Sequence, residues 1–188
     1  MIEKIAENVF KIKSNCNVYF LDFKKKIIID TGAKGNKDEI VKALSQMINP
    51  EKIDYVILTH LHYDHVGNVE IFKNAKVYAS KETIEEFSKD EFGSVLDKKT
   101  LTDFKKIELN ELPLNFEGLE IVNTPGHTKG SICLWYPNRK ILFSGDTLFH
   151  KRALGRTDLP TSEPEKIMPS LIKLSKYEYD KLCPGHDY

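Results

Sequence analysis

Nowhere do the 188 residues hold the run of about twenty apolar side chains that a membrane-spanning helix needs. The opening Met1-Ile-Glu-Lys-Ile-Ala-Glu7 also lacks the basic, then apolar, then small-residue order of a secretion signal. These two absences set the expectation of a cytoplasmic protein with no membrane partner. Net charge is missing as well: 28 basic and 28 acidic residues cancel and are interspersed, which excludes the basic face of a nucleic-acid binder. Cysteine is scarce. Cys16, Cys133 and Cys183 are odd in number, widely spaced and set in apolar surroundings, so they read as buried thiols and not as disulfides. No Pro/Gly/Ser-rich linker interrupts the chain, and its length reads as one domain over residues 1–188.

Histidine is sparse too, at six, but the few are concentrated. The apolar run Tyr55-Val-Ile-Leu58 reads as a buried strand and leads into Thr59-His-Leu-His-Tyr-Asp-His65. His60, His62, Asp64 and His65 therefore emerge together from a strand end into a loop, where side chains can converge without crossing the core. Neutral imidazole suits zinc and iron, and a carboxylate adds a harder ligand. The spacing favours two ions over one: His60 and His62 project from one side of the extended chain, and Asp64 and His65 lie a step further on.

Three other segments repeat a pattern of strand, glycine turn and candidate ligand. Leu119-Glu-Ile-Val-Asn123 leads to Pro125-Gly-His127, Lys140-Ile-Leu-Phe143 to Ser144-Gly-Asp146, and Lys181-Leu-Cys183 to Pro184-Gly-His186. Glycine at each turn permits tight backbone approach, so the ligands would line one edge of a sheet scaffold.

With Asp30 in Ile29-Asp-Thr-Gly32, the His60 to His65 cluster, His127, Asp146 and His186 all in order, the chain resembles the metallo-β-lactamase-fold hydrolases. Within them it resembles the short glyoxalase II-like (hydroxyacylglutathione hydrolase-like) subgroup. The resemblance implies an α/β fold, a four-layer αββα sandwich. It implies two divalent ions, zinc first with iron or manganese as alternatives. His60, His62 and His127 would hold one ion, Asp64, His65 and His186 the other, and Asp146 would bridge them. Asp30 would steady the ligand loop through hydrogen bonds without binding metal. The implied reaction is hydrolysis of a small-molecule thioester such as S-lactoylglutathione by a metal-bridging hydroxide, with Asp64 as the catalytic residue that orients it and accepts its proton.

The pairing of Phe143-Ser-Gly-Asp-Thr-Leu-Phe149 with Leu154-Gly-Arg-Thr-Asp-Leu-Pro160 is similar both to that subgroup and to the persulfide dioxygenases. Arg156 has a planar fork suited to a substrate carboxylate, against the alternative of a loop-fixing bridge to Asp158. His150 stands outside the ligand set in a basic loop with Lys151 and Arg152, as a substrate contact or an exposed loop residue. Tyr63 and Lys129 flank the ligand loops, and Tyr188 would reach the cleft rim or fray. The alternative functions are a mononuclear iron persulfide dioxygenase using His60, His127 and Asp146, a lactonase, and a metal-binding scaffold without activity. The helical C-terminal domain by which housekeeping glyoxalase II enzymes bind glutathione is expected to be missing.

Between the motifs, Val9–Lys13, Asn17–Leu21 and Lys26–Asp30 read as strands, and Asn36 with Glu39 as a capping pair for a helix through Met47. A short helix is expected near Val66 to Phe72 and a strand at Lys76–Ala79, followed by a helix and a loop from Lys81 to Lys106. Strands are expected at Ile107–Phe116, Leu119–Asn123, Ser131–Tyr136 and Lys140–Ser144. A closing helix from Glu163 to Leu174 would be capped by Ser162 and kinked or split at Pro169.

Overall fold

The structure, a computed structural model, describes residues 1–187; Tyr188 lies outside the described residues. The chain divides into two compact units, residues 1–79 with 95–110, and residues 80–94 with 111–188.

The first unit is organised on a seven-stranded sheet in sequential order: β1 (Ile2–Ala6), β2 (Val9–Ile12), β3 (Val18–Asp22), β4 (Lys26–Ile29), β5 (Tyr55–Ile57), β6 (Lys76–Ala79) and β7 (Leu109–Glu111). The first four strands pair antiparallel, whereas β4, β5 and β6 are mutually parallel. Residues 27–29 of β4 are buried throughout, the continuous apolar run expected of a strand covered on both faces. β1 is a half-exposed edge, Ile-Glu-Lys-Ile-Ala, whose mixed composition carried no strand signal. Helix α1 (Lys37–Leu44) buries Ile40, Ala43 and Leu44 as its spacing predicts. Asn36 precedes it, but its side chain reaches Glu39 at 3.3 Å and caps no backbone N–H.

Two sequence expectations shift here. The helix near Val66 is α2 (Tyr63–Val66), one turn earlier, followed by a 3-10 turn at Val69–Ile71. Gly67 lies between them, where a Cβ would stand 2.7 Å from the Gly32 carbonyl oxygen and 2.8 Å from that of Tyr63, so only glycine fits this close approach. The single strand expected over 107–116 is two: β7 and β8 (Asn115–Phe116) belong to different sheets. Pro113 lies between them and has no N–H to continue a ladder.

The second unit carries the five-stranded sheet, ordered β12-β11-β10-β9-β8, with β9 at Leu119–Asn123, β10 at Ile132–Tyr136, β11 at Ile141–Gly145 and β12 at Lys181–Pro184. All its pairings are antiparallel except β11 with β12. The β10–β11 connection turns at Pro137–Arg139, with Lys140 in the left-handed region that closes it.

The expected helix and loop over 81–106 is three helices: α3 (Lys81–Lys89), α4 (Glu91–Val95) and α5 (Lys98–Phe104). Ser80 and Asp97 cap α3 and α5 by accepting from the N–H groups of Thr83 and Thr100. The closing helix α6 (Ile167–Leu174) starts later than expected, after a 3-10 turn at Pro164–Lys166. Pro169 therefore falls in its first turn, where a missing N–H breaks no helical bond, and no kink results. Ser162 does not cap it; its hydroxyl donates to the His127 carbonyl at 2.7 Å. The three cysteines are free and buried, as expected. No helix among the described residues is long and apolar enough to cross a membrane.

Candidate metal centre

Both units place their candidate ligands by the same device, a parallel strand pair whose carboxyl ends lie side by side. In the first, β4 runs into Asp30 and β5 into Thr59 and His60. The Asp30 carboxylate accepts from the Thr59 N–H (Oδ1, 2.8 Å), the Thr59 hydroxyl (Oδ2, 2.8 Å) and His65 Nδ1 (Oδ2, 2.8 Å). Asp30 itself sits at φ 55°, a left-handed backbone that Asp tolerates better than most residues. His65 is further held through its carbonyl, which receives the Thr31 N–H (2.7 Å) and hydroxyl (2.8 Å). The buried Asn68 amide donates to the carbonyls of Thr31 and Ala33 at 2.9 and 2.8 Å and fixes the segment after β4.

These bonds settle where the imidazole protons are. Thr59 Oγ1 gives its proton to Asp30, so toward His60 Nδ1, 3.1 Å away, it accepts. His60 therefore carries its proton on Nδ1 and a lone pair on Nε2. An ionised carboxylate only accepts, so His65 Nδ1 donates to Asp30 and its Nε2 also holds a lone pair. His62 Nδ1 lies 3.1 Å from His60 Nε2, the two rings meeting edge to face at 4.6 Å between centroids. Asp64 is half-buried on the first turn of α2, and its charge raises the pKa of the neighbouring Tyr63 phenol.

In the second unit β11 runs into Asp146 and β12 into His186, joined by a Gly185 N–H bond to the Gly145 carbonyl at 2.8 Å. His127 follows β9. Its Nδ1 lies 2.7 Å from the Arg156 carbonyl, which can only accept, so the lone pair is again on Nε2. That lone pair faces Asp146 Oδ2 at 3.6 Å, and His186 Nε2 lies 3.4 Å from the same oxygen. Both distances exceed the roughly 2.7–2.9 Å of a charge-assisted hydrogen bond. The His127 lone pair repels the carboxylate it faces unless a cation stands between them, and imidazole with carboxylate is the donor chemistry of zinc, iron and manganese sites. The donor set in each unit fits a divalent metal.

The run Leu154-Gly-Arg-Thr-Asp-Leu-Pro160 acts here through its backbone. A Cβ on Gly155 would overlap the Asp146 carbonyl oxygen and stand 3.0 Å from His127 Nδ1, so glycine is what lets the loop approach. The Arg156 carbonyl orients His127, while its guanidinium forms a two-pronged bridge to Asp158 at 2.9 and 2.9 Å on the surface. His150 is exposed on a 3-10 turn (His150–Arg152).

Several residues that matter to this geometry carried no ligand signal in the sequence. Thr59 relays between Asp30 and His60. Cys16 lies 3.4 Å from His65 Nδ1, and burial pushes its thiol up to about 12. Ser80, Thr83 and Glu86 on one face of α3 grip the peptide of Gly130: the two hydroxyls donate to its carbonyl at 2.7 and 2.8 Å, and the Glu86 carboxylate accepts its N–H at 3.2 Å. This grip steadies the loop that begins at His127. Burial pushes the Glu86 carboxyl up to about 7, opposed by the Gly130 N–H and Lys129.

Residues 12–186 match the model of the metallo-beta-lactamase superfamily, and the chain belongs to that superfamily. It is similar to a probable metallo-hydrolase of Methanocaldococcus jannaschii, 35% identical over 90% of this chain and 86% of the relative. A second such protein of that archaeon is 44% identical over 58% of this chain, which spans 46% of its length. A hydroxyacylglutathione hydrolase of Francisella tularensis subsp. novicida is 30% identical over 74% of this chain and 52% of its own. Among solved structures, a metallo-beta-lactamase family protein of Thermus thermophilus superposes with a TM-score of 0.78 at 18% identity, covering 98% of this chain and 75% of that one. A protein solved in a di-iron-bound form gives 0.69 at 24% identity over 92% and 88%. The α/β fold expected from the motifs is the metallo-β-lactamase fold that these neighbours share.

Proposed function

We propose that the chain is a metal-dependent hydrolase that cleaves a small thioester such as S-lactoylglutathione. His60, His62 and His127 would hold one divalent ion, Asp64, His65 and His186 a second, with Asp146 bridging the pair. The observation that carries the reading is the fixed set of imidazole tautomers, which leaves lone pairs on His60, His65 and His127 and turns that of His127 toward the Asp146 carboxylate. The metallo-hydrolase relatives support the reaction class, and the hydroxyacylglutathione hydrolases support the thioester. Zinc is the first choice of metal, and the di-iron form of one structural neighbour keeps iron beside it.

Bound ions would supply water activated at neutral pH and a Lewis acid for the carbonyl. The chain's own residues do the rest. Asp64 orients the attacking water and takes its proton. Asp30 and Thr59 keep His60 and His65 in their ligating tautomers, and the Arg156 carbonyl does so for His127. A thiolate leaves with little acid help, so the site needs no dedicated proton donor. Arg156 would meet a substrate carboxylate by exchanging Asp158 for it.

The deciding experiment is elemental analysis of protein purified without air or added metal, followed by hydrolysis assays. Two ions per chain and turnover of S-lactoylglutathione are expected, with Asp64→Asn lowering kcat by about a thousandfold. A single iron with oxygen uptake on glutathione persulfide, or lactone turnover without thioester turnover, would replace this reading.

A further inference from the structure

In the second unit a cavity of about 410 Å³ opens between α6 and the segment after Asp146. Leu148, Leu154, Leu171 and Leu174 form its apolar lining, and Arg152, Tyr179 and Ser175, whose hydroxyl donates to the Ile172 carbonyl at 2.8 Å, complete it. Its size falls near the lower end of the about 300–1,000 Å³ of pockets that enclose small ligands. Leu174 is buried and continuous with the core cluster of Val122, Cys133 and Leu142, whereas Leu154 is 39% exposed at the mouth.

The segment that brings Arg152 to this cavity is held in an unfavourable shape. Phe149 donates its N–H to the Ala153 carbonyl at 2.8 Å, and at the tip between them Lys151 and Arg152 both lie in the left-handed region, at φ 55° and 62°. Two consecutive side-chain-bearing residues rarely adopt that backbone, and such strain gathers where a ligand is held. Among the described residues, neither the Arg152 guanidinium nor the Tyr179 hydroxyl enters a hydrogen bond or an ion pair. A fork of donors and a phenol thus border an apolar hollow, with no carboxylate from the chain to meet them.

We propose that this cavity is a binding site for a small amphipathic monocarboxylate, a medium-length straight-chain fatty acid. Its carboxylate takes the Arg152 fork and the Tyr179 hydroxyl, and its chain lies on the four leucines. A single cation among four leucines, with only the neutral Tyr179 and Ser175 beside it, suits a monoanion better than a phosphate, which calls for more charge. The site is distinct from the thioester reading and does not rest on it. Its loop nevertheless reaches the ligand residues: Gly155 packs on the Asp146 carbonyl, and the Phe149 ring meets His186 edge-on at 6.0 Å. Occupancy would steady that loop.

Titration calorimetry and thermal melts with octanoate, hexanoate, butyrate and octanol test this. Octanoate is expected to bind and raise the Tm, with affinity falling roughly fourfold for each methylene removed. Arg152→Gln, a change at an exposed residue, is expected to weaken octanoate about tenfold or more, as is replacing it with the uncharged octanol. No binding, equal binding of octanol, or an unchanged Arg152→Gln would overturn the proposal.

Discussion

Gly155 acts through the side chain it lacks and Arg156 through its backbone carbonyl, and this separates their two mutants. Gly155→Ala puts a methyl group into the Asp146 carbonyl and against His127 Nδ1. Metal affinity is expected to fall about 10–100-fold, the usual cost of disturbing the partners that orient ligands. Arg156→Ala keeps the carbonyl that orients His127. Its metal content should stay unchanged, and its effect should appear as a raised KM for a carboxylate-bearing thioester. Metal titration beside steady-state kinetics checks both, and metal loss in Arg156→Ala would sink the assignment of its roles. The same contrast explains what was legible. Candidate ligand side chains announce themselves by type and spacing, as His60, His62, Asp64 and His65 do. A carbonyl that fixes a tautomer, or a hydroxyl such as Thr59 that relays between two ligands' supports, has no signature in composition.

At the scale of elements, α3 is the helix whose grip on Gly130 can be titrated. Glu86 has its folded pKa raised from 4.5 to about 7 by burial. A raised folded pKa means that the protonated form is favoured on folding, so its contribution is fully present below about pH 4.5 and is lost as pH rises through 7. The difference is roughly 3 kcal/mol. Glu86→Gln cannot ionise and can still accept the Gly130 N–H. Chemical denaturation across that window should therefore show a flatter stability profile than wild type, with the variant relatively more stable above pH 7. Parallel profiles would mean that Glu86 does not titrate there. Elements were legible where periodicity spoke, as for β3, β4 and α1, and the two caps read from the sequence, Asn36 and Ser162, do not cap. They were missed where the local pattern misled: Pro113 divides a strand between two sheets, and β1 is too polar to look like a strand.

For the molecule as a whole, the fold was readable through the family resemblance that the five ordered motifs carry, since periodicity alone reads only as mixed α and β. The cysteines give a global test. Cys16 and Cys133 are pushed up to about 12 and 11 by burial, and Cys183 is buried as well. At neutral pH none should react with a thiol reagent in the native protein, and three should react per chain in denaturant. A thiol titrating without denaturant would locate a segment that opens readily.

The parallel pairs β4–β5 and β11–β12 also carry a consequence in time. Parallel neighbours cannot be joined by a tight turn, so each pair closes only after a long crossover, with α1 inside the first and α6 inside the second. Contacts between residues far apart in sequence are late and slow to form. Asp30 meets Thr59, and Gly145 meets Gly185, only when those crossovers have closed. The candidate ligands at these strand ends are thus expected among the last parts of each unit to assemble, so the readiness of the cradle reports the completion of the fold around it.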